Sequence, residues 1–169
     1  MKLKSFLLRF GLAAVLLAGI LLYINYNSKG PAEAVIEPTT EKTTVEITGE
    51  VNNKAEATAC LEVLKANLAA ANNEDTTAYV DTLVASARQA TQKEMDDFFA
   101  EYDLSHELES FKVVKQEQAS MLVEAQQKTV NRGKQKYRNH LTQAHHTFIK
   151  EDGTWKIKET NMTNTEFID

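Results

Sequence analysis

The order of apolar and polar residues divides the chain into unlike segments. An uninterrupted apolar run extends from Phe10 to Ile24, and the polar stretch after it carries both prolines, Pro31 and Pro38. Apolar residues then recur at helical spacing, and from about Glu107 they alternate with polar ones, as in strands. The pattern predicts a membrane segment, a flexible tether and a folded α+β domain, over residues 1–26, 27–52 and 53–169.

Three helices are predicted at the start of the domain. Asn53 and Glu56 have the spacing of a capping box, and the leucines that follow place one helix directly after them. Residues 77–84 predict a shorter second helix. Thr91 and Glu94 form another capping box, which opens a third helix with an apolar stripe of Met95, Phe98, Phe99 and Tyr102.

Four strands are predicted after the helices. Turn-forming residues separate the last three, with Gly133 in the first turn and Gly153 in the second. We therefore expect an antiparallel meander, with the helices packed on one face of a curved four-stranded sheet. The positions that mark the four strands are Phe111 and Val113, Met121 to Ala125, Leu141 to Ile149, and Trp155 and Ile157.

The apolar run near the N-terminus is predicted to be an uncleaved signal-anchor helix. Residues 6–24 offer 19 positions, close to the roughly 20 that span a bilayer. Three cations, Lys2, Lys4 and Arg9, precede or begin this segment, and only Lys29 follows closely. The positive-inside rule then places a short N-terminal tip in the cytoplasm and the domain on the outer side of the cell membrane.

Two alternatives involve processing of this segment. A signal peptidase could cleave at Ala32-Glu33-Ala34 and release a secreted domain, but that site lies about ten residues past the apolar run, and cleavage normally falls closer. Tyr23 and Tyr26 are also typical of the interfacial belt of a membrane helix. A lipoprotein would require Cys in place of Ile20. In each case the domain is exported.

The exported part of the chain is acidic. Without residues 1–26, which hold Lys2, Lys4 and Arg9, the 19 Lys and Arg fall to 16 against 24 Asp and Glu, a net charge of −8. Such a domain is unsuited to binding nucleic acid. The local exception is a basic cluster, interpreted as a solvated hairpin tip with an anion site as the alternative; it consists of Arg132, Lys134, Lys136 and Arg138.

The order of helices and then long strands ends on a hairpin that reads Glu151-Asp152-Gly153-Thr154-Trp155-Lys156-Ile157. In this the domain resembles the nuclear transport factor 2-like superfamily (SnoaL-type, with a cystatin-like cone), whose bacterial members often carry an acidic-Gly-x-Trp-x-Ile hairpin. The resemblance covers residues 54 to about 165 and implies a pocket between the helices and the concave sheet, with frequent dimerisation through the sheet. The superfamily includes ketosteroid-isomerase-like enzymes, ligand binders and membrane-anchored scaffold subunits, so the fold alone does not select a function.

A register for the last hairpin yields candidate site residues. If residues 151–153 form a three-residue loop, His145 faces Glu159 on the inner face of the sheet. A carboxylate beside an imidazole can serve proton transfer, and it can equally be a structural cross-strand contact. The predicted pocket lining is Phe98, Phe99, Met121, His145, Trp155 and Glu159.

No metal ion or cofactor is expected. His145 and His146 are adjacent on a strand and point to opposite faces, while His140 stands some 20 Å from His146 along it, at roughly 3.3 Å per residue. Cys60 is the single cysteine, so no intrachain disulfide forms, and its leucine-rich helix face is typical of a buried thiol.

Three functions stay open at this point. The first is a non-catalytic, membrane-anchored binding or scaffold module, because no catalytic signature is evident. The second is a small-molecule-binding or isomerase-like enzyme that uses His145 and Glu159 in the cone pocket, and the third is a purely structural surface component. In the first case a membrane protein or a second copy would pack on the opposite sheet face, which on this register bears His140, Thr142, Ala144, His146 and Phe148.

Overall fold

The structure describes residues 45–168 and is a computed structural model of the chain. The predicted anchor over residues 6–24 and the tether as far as residue 44 lie outside these described residues, as does the cleavage site considered near Ala34. Within residues 45–168 no helix is both long and apolar enough to span a membrane.

The described residues form an α+β fold in which helices pack on a five-stranded mixed sheet, as in a cystatin-like cone. The strands lie in sequence order across the sheet, and β2 to β5 are antiparallel neighbours. The elements are β1 Ile47–Gly49, α1 Lys54–Asn72, α2 Thr76–Asp81, α3 Ala85–Glu101, β2 Leu104–Gln116, β3 Ser120–Asn131, β4 His140–Glu151 and β5 Thr154–Phe167.

The fifth strand, β1, lies in the segment that the sequence assigned to the tether. It pairs parallel to β2, with Gly49 opposite Val113, and Glu50 N donates to Val113 O at 2.8 Å. Gly49 has a φ of +89°, and a Cβ there would lie 2.1 Å from Val113 O, so only glycine fits. The predicted count of four strands is therefore wrong, because the described sheet has a fifth strand of three residues that pairs with residues far along the chain.

The first helix begins as predicted, whereas the third does not. Asn53 Oδ1 accepts a hydrogen bond from Glu56 N at 3.2 Å, which confirms the N-cap of α1. The third helix, α3, begins at Ala85 rather than near Thr91, because Ala85 N donates to Glu151 Oε2 at 3.0 Å and is thus capped from the distant β4–β5 hairpin. Thr91 lies buried in the middle of this helix.

The turn between β4 and β5 has two residues rather than three. Asp152 and Gly153 both have positive φ, +51° and +79°, as in the type I′ turns that suit two-residue hairpins. As a result Phe148 pairs with Ile157. Since neighbouring residues of a strand point to opposite faces, this change by one residue exchanges the predicted inner and outer faces of β4.

The hydrophobic core lies between α1 and the part of the sheet nearest the β4–β5 turn. Burying each large side chain there contributes about 1.5–3 kcal/mol. Cys60 is buried in this core, as predicted, and burial raises the pKa of its thiol to about 12. The principal contacts join Cys60, Leu61, Leu64 and Leu68 of α1 to Phe111, Val113, Met121, Val123, Phe148, Trp155 and Ile157 of the sheet.

Candidate functional site

The inner face of β4 bears its even-numbered residues. Ala144, His146 and Phe148 are 1%, 3% and 0% exposed, and His140 and Thr142 are buried on the same side. The sequence-based register assigned these five residues to an exposed face for a protein partner or a second copy. That assignment is wrong, because they line the interior of the cone.

His145 and Glu159 neither face each other nor point into the cone. His145 pairs with Asn161 and Glu159 pairs with Thr147, because the short turn and a β-bulge in β5 shift the register. On the outer face, His145 Nε2 lies 3.5 Å from Glu124 Oε2, and Glu159 Oε1 accepts a hydrogen bond from Asn161 Nδ2 at 2.9 Å. The predicted acid–base pair is therefore wrong, and the carboxylate beside His145 belongs to Glu124.

Two other predicted lining residues, Met121 and Trp155, belong to the hydrophobic core under α1. Trp155 Nε1 donates to Glu56 Oε2, and Lys150 Nζ donates to Glu56 Oε1 at 2.6 Å. The indole thus has its polar atom satisfied by a helix residue. This end of the cone is closed by packing.

Towards the opposite end, the inner face of the sheet becomes polar. His146 Nδ1 lies 3.0 Å from Thr160 Oγ1, and its Nε2 lies 3.3 Å from Gln127 Nε2. Both ring nitrogens therefore contact uncharged side chains. We call this region the polar patch; it comprises His106, Gln127, Thr129, Thr142, His146 and Thr160.

The second histidine of the polar patch, His106, is fixed on β2. Its Nδ1 lies 3.2 Å from Thr129 Oγ1, and its backbone N donates to Asn72 Oδ1 at 2.6 Å, which ties β2 to the end of α1. Burial lowers the pKa of both His106 and His146 to about 4. Both imidazoles are consequently neutral at pH 7, and in each ring one nitrogen donates a hydrogen bond and the other accepts one.

Helix α3 carries Glu94, a carboxylate with one buried oxygen. It packs on α2 rather than closely on the sheet, and Thr91 and Met95 on its inward face are buried. Glu94 lies between them, and its Oε2 is buried without a hydrogen-bond partner among residues 45–168. Burial raises the pKa of Glu94. A buried acceptor left unpaired costs about 1–3 kcal/mol, so this oxygen suits a hydrogen-bond donor from outside the described residues, such as water or a ligand.

A series of aromatic rings joins α3 to the polar end of the sheet. The ring of Phe98 lies 5.2 Å from Tyr102, and Tyr102 lies 5.3 Å from Tyr137. Tyr137 in turn lies 5.8 Å from the buried ring of His140. Phe98 and Phe99, both predicted to line the pocket, are half-buried, with ring centroids 6.0 Å apart. The structure thus separates these two from Met121 and Trp155 and places them at the end where the polar patch lies.

The chemistry that this region offers is hydrogen bonding and ring contact. Within residues 45–168, no three His, Cys, Asp or Glu side chains come close enough together to hold a metal ion. The polar patch supplies neutral imidazoles, hydroxyls and an amide, and Glu94 supplies an acceptor. These groups suit recognition of a small polar molecule.

Four residues of this region escaped sequence reasoning: His106, Gln127 and His146 were not placed inside, and Glu94 was assigned to a helix cap. The dipeptide Asp152-Gly153 was the signal available, since it is typical of a two-residue type I′ turn. A two-residue turn at this position places Phe148 and His146 on the inner face of the sheet. Nothing comparable in the sequence indicates that Glu94 lacks a partner.

Solved structures share the fold of this chain. A proposed aromatic ring hydroxylase from Novosphingobium aromaticivorans is 15% identical, with a TM-score of 0.60 over 69% of this chain and 95% of that one. A protein of unknown function with a cystatin-like fold from Nostoc punctiforme is 11% identical, with a TM-score of 0.56 over 65% and 91%. An NTF2-like protein of unknown function from Pseudomonas putida is 10% identical, with a TM-score of 0.56 over 66% and 87%. At such identities the likeness shows the fold alone.

Comparison with protein families is more specific. No curated protein matches the chain. Residues 62–168, which run from α1 to the end of β5, match the family described as "Anti-sigma-I factor RsgI9, C-terminal domain". Because that match covers more than half of the chain and nearly all of the described fold, the chain belongs to the family of the anti-sigma-I factor RsgI9 C-terminal domain.

Proposed function

We propose that this chain is a membrane-anchored, extracytoplasmic binding module that takes a small molecule into the polar end of its cone. The observation that carries the proposal is Glu94 Oε2, a buried carboxylate oxygen on the inward face of α3 without a partner among the described residues. A ligand that donates a hydrogen bond there would remove the cost of the unpaired acceptor.

The surrounding groups define the ligand class. His106 and His146 are neutral, so they provide no cation for an anionic ligand, and Glu94 repels one when it is ionised. The rings of Phe98 and Tyr102 offer an apolar contact beside these polar groups. The site therefore fits a small molecule that is neutral or cationic, carries a hydrogen-bond donor and has a flat apolar part.

The low pKa of the buried histidines and the contacts of their ring nitrogens favour binding over catalysis. An imidazole with a pKa near 4 accepts a proton poorly at neutral pH, and the two nitrogens of His146 already contact Thr160 and Gln127. The His145–Glu159 pair, on which the isomerase-like alternative depended, does not form. No specific observation supports a second function.

The predicted anchor and the family indicate where the module is located and what kind of protein it belongs to. The cations before the apolar run at residues 6–24 favour a single membrane helix with the domain outside the cell. The family is named for an anti-sigma-I factor, which makes the module part of a regulatory protein in our proposal. Ligand binding in the cone would then be the input that such a regulator receives.

Thermal unfolding of the purified full chain with matched probes tests this proposal. Benzylamine, benzyl alcohol and benzoate share one ring and differ in charge and donor capacity. We expect benzylamine and benzyl alcohol at millimolar concentration to raise the Tm and benzoate to leave it unchanged. Glu94→Gln should abolish the difference in Tm shift between benzylamine and benzoate, whereas Asp96→Asn, at an exposed residue of the same helix, should preserve it. Equal shifts for all three probes, or none, would contradict the proposal.

A further inference from the structure

The end of the sheet opposite the β4–β5 turn carries a basic loop. We define the basic loop as residues 132–138, between β3 and β4. Arg132 has a structural role, because its Nη2 lies 3.0 Å from Asp103 Oδ1 and 3.1 Å from Asn72 O. Arg138 stacks on the ring of Phe167, with Cζ 3.7 Å from the ring centroid.

The two lysines of the basic loop, Lys134 and Lys136, are both exposed. Neither forms an ion pair within residues 45–168. The loop that presents them is held in shape, because Asn131 N donates to Asn139 Oδ1 at 2.8 Å and Asn131 Nδ2 donates to Gln135 O at 2.9 Å. Two free ammonium groups are thus displayed on a braced tip of an otherwise acidic domain.

The direction of β1 shows from which end of the sheet the described chain begins. Because β1 runs parallel to β2, from Ile47 opposite Phe111 to Gly49 opposite Val113, residues 45 and 46 lie on the side of β1 nearer the end where β2 begins. At that end Leu104 pairs with Asn131, the last residue before the basic loop. The β4–β5 turn lies at the other end, about 40 Å away for a strand of 12 residues.

From this arrangement we infer that the basic loop docks on the surface of the bilayer that holds the anchor, through contacts of Lys134 and Lys136 with anionic lipid headgroups. The inference rests on the proposed anchoring at residues 6–24. Attraction of these two lysines to anionic headgroups would hold the basic loop against the bilayer. Two lysines bind a free domain weakly, but attachment to the same membrane keeps them at high effective concentration.

Docking would place the polar end of the cone towards the membrane. Tyr137 of the basic loop contacts both Tyr102 and His140, which lie next to the proposed ligand site. The entrance of that site would then face the bilayer surface rather than the distant medium.

Fluorescence quenching in reconstituted vesicles tests the inference on the full chain. Cys60 is fully buried, so a cysteine introduced by Gln135→Cys in the basic loop is labelled selectively, and Asp152→Cys in the β4–β5 turn is the matched control. Vesicles of phosphatidylcholine, with or without phosphatidylglycerol, carry lipids with a nitroxide on the headgroup. With phosphatidylglycerol, we expect quenching at position 135 to exceed that at 152 by at least about twofold, and Lys134→Glu with Lys136→Glu to remove the difference.

Two results would overturn the inference in distinguishable ways. If the chain floats with the vesicles after an alkaline wash but both labels are quenched equally, or quenching does not depend on phosphatidylglycerol, the anchor stands and the docking is refuted. If the chain does not float with the vesicles, the anchor itself is refuted, and the docking with it.

Discussion

Glu56 of α1 and Trp155 of β5 are joined by a hydrogen bond from the indole Nε1 to the carboxylate Oε2. The other oxygen of Glu56 binds Lys150 Nζ at 2.6 Å. A single carboxylate therefore fastens the start of the first helix to both strands of the last hairpin. The hydrogen bonds from Lys150 and Trp155 lower the pKa of Glu56 below its ordinary value of 4.5.

The first prediction concerns this carboxylate. Because its pKa is lower in the folded state, its contribution to stability is present above the ordinary pKa and is lost as the pH falls through the folded value. Glu56→Gln should lower the Tm at pH 7, and the difference from the unmodified chain should shrink as the pH falls to about 3. Glu62→Gln, exposed on the same helix, is the control for charge removal. A difference independent of pH would contradict the assignment.

The second prediction concerns the close approach of β1 to β2. Gly49→Ala should reduce the free energy of unfolding by about 2 kcal/mol or more, since its Cβ would clash with Val113 O in addition to the strain of a positive φ. Gly153→Ala is matched in backbone conformation but meets nothing within 4 Å, and it should cost only about 1 kcal/mol. Chemical denaturation measures both, and equal losses would show that β1 is not bound as described.

The third prediction concerns the buried neutral state of His146. Its pKa falls from 6.5 to about 4 in the folded state, so the unfolded chain binds a proton first as the pH falls, and stability decreases between those values. This loss amounts to about 3 kcal/mol between pH 7 and pH 4 and should be absent from the comparison variant His146→Gln. His145→Gln, on the outer face of the same strand, controls for removal of an imidazole. If the free energy of unfolding depended on pH in the same way with His146 and with Gln at this position, the burial of His146 would be refuted.

The fourth prediction separates function from stability at Glu94. Burial raises the pKa of this carboxyl, which means that its ionised form disfavours the folded state above that pKa and has no such effect well below it. Glu94→Gln should therefore stabilise the chain at neutral pH by up to about 1 kcal/mol, and the gain should vanish at low pH. Denaturation curves at the two pH values check this, with Asp96→Asn as the control. A destabilised Glu94→Gln variant would mean that the carboxylate has a structural partner.

The sequence predicted what depends on local pattern. The capped start of α1 and the four long strands follow from spacing and turn residues, and the structure confirms them. The faces of β4 were reversed because strand orientation depends on the number of residues in one turn, at Asp152 and Gly153. β1 was missed as a sheet strand because its pairing is with residues far along the chain, and three residues carry little pattern.

The interior site lay further beyond sequence reasoning. Glu94 and His146 are far apart along the chain, and the burial of Glu94 Oε2 and of the His146 ring is a property of the folded structure. The pair chosen from the sequence, His145 with Glu159, depended on the strand register. A shift of that register by one residue moves a side chain from the interior to the solvent-facing side. Burial without a partner, which distinguishes Glu94, is a property of the fold and leaves no mark on the spacing of residues.

Carboxyl-carbon NMR of Glu94 tests whether this residue receives the donor group of a ligand inside the cone. The signal is assigned from its absence in Glu94→Gln and is followed with pH, first without and then with benzylamine. We expect a pKa above 4.5 in the free protein, and a lower pKa with the amine bound, because a cation beside the carboxylate favours its ionised form. If the Glu94 carboxyl had an ordinary pKa that benzylamine did not change, Glu94 would not be the ligand's acceptor.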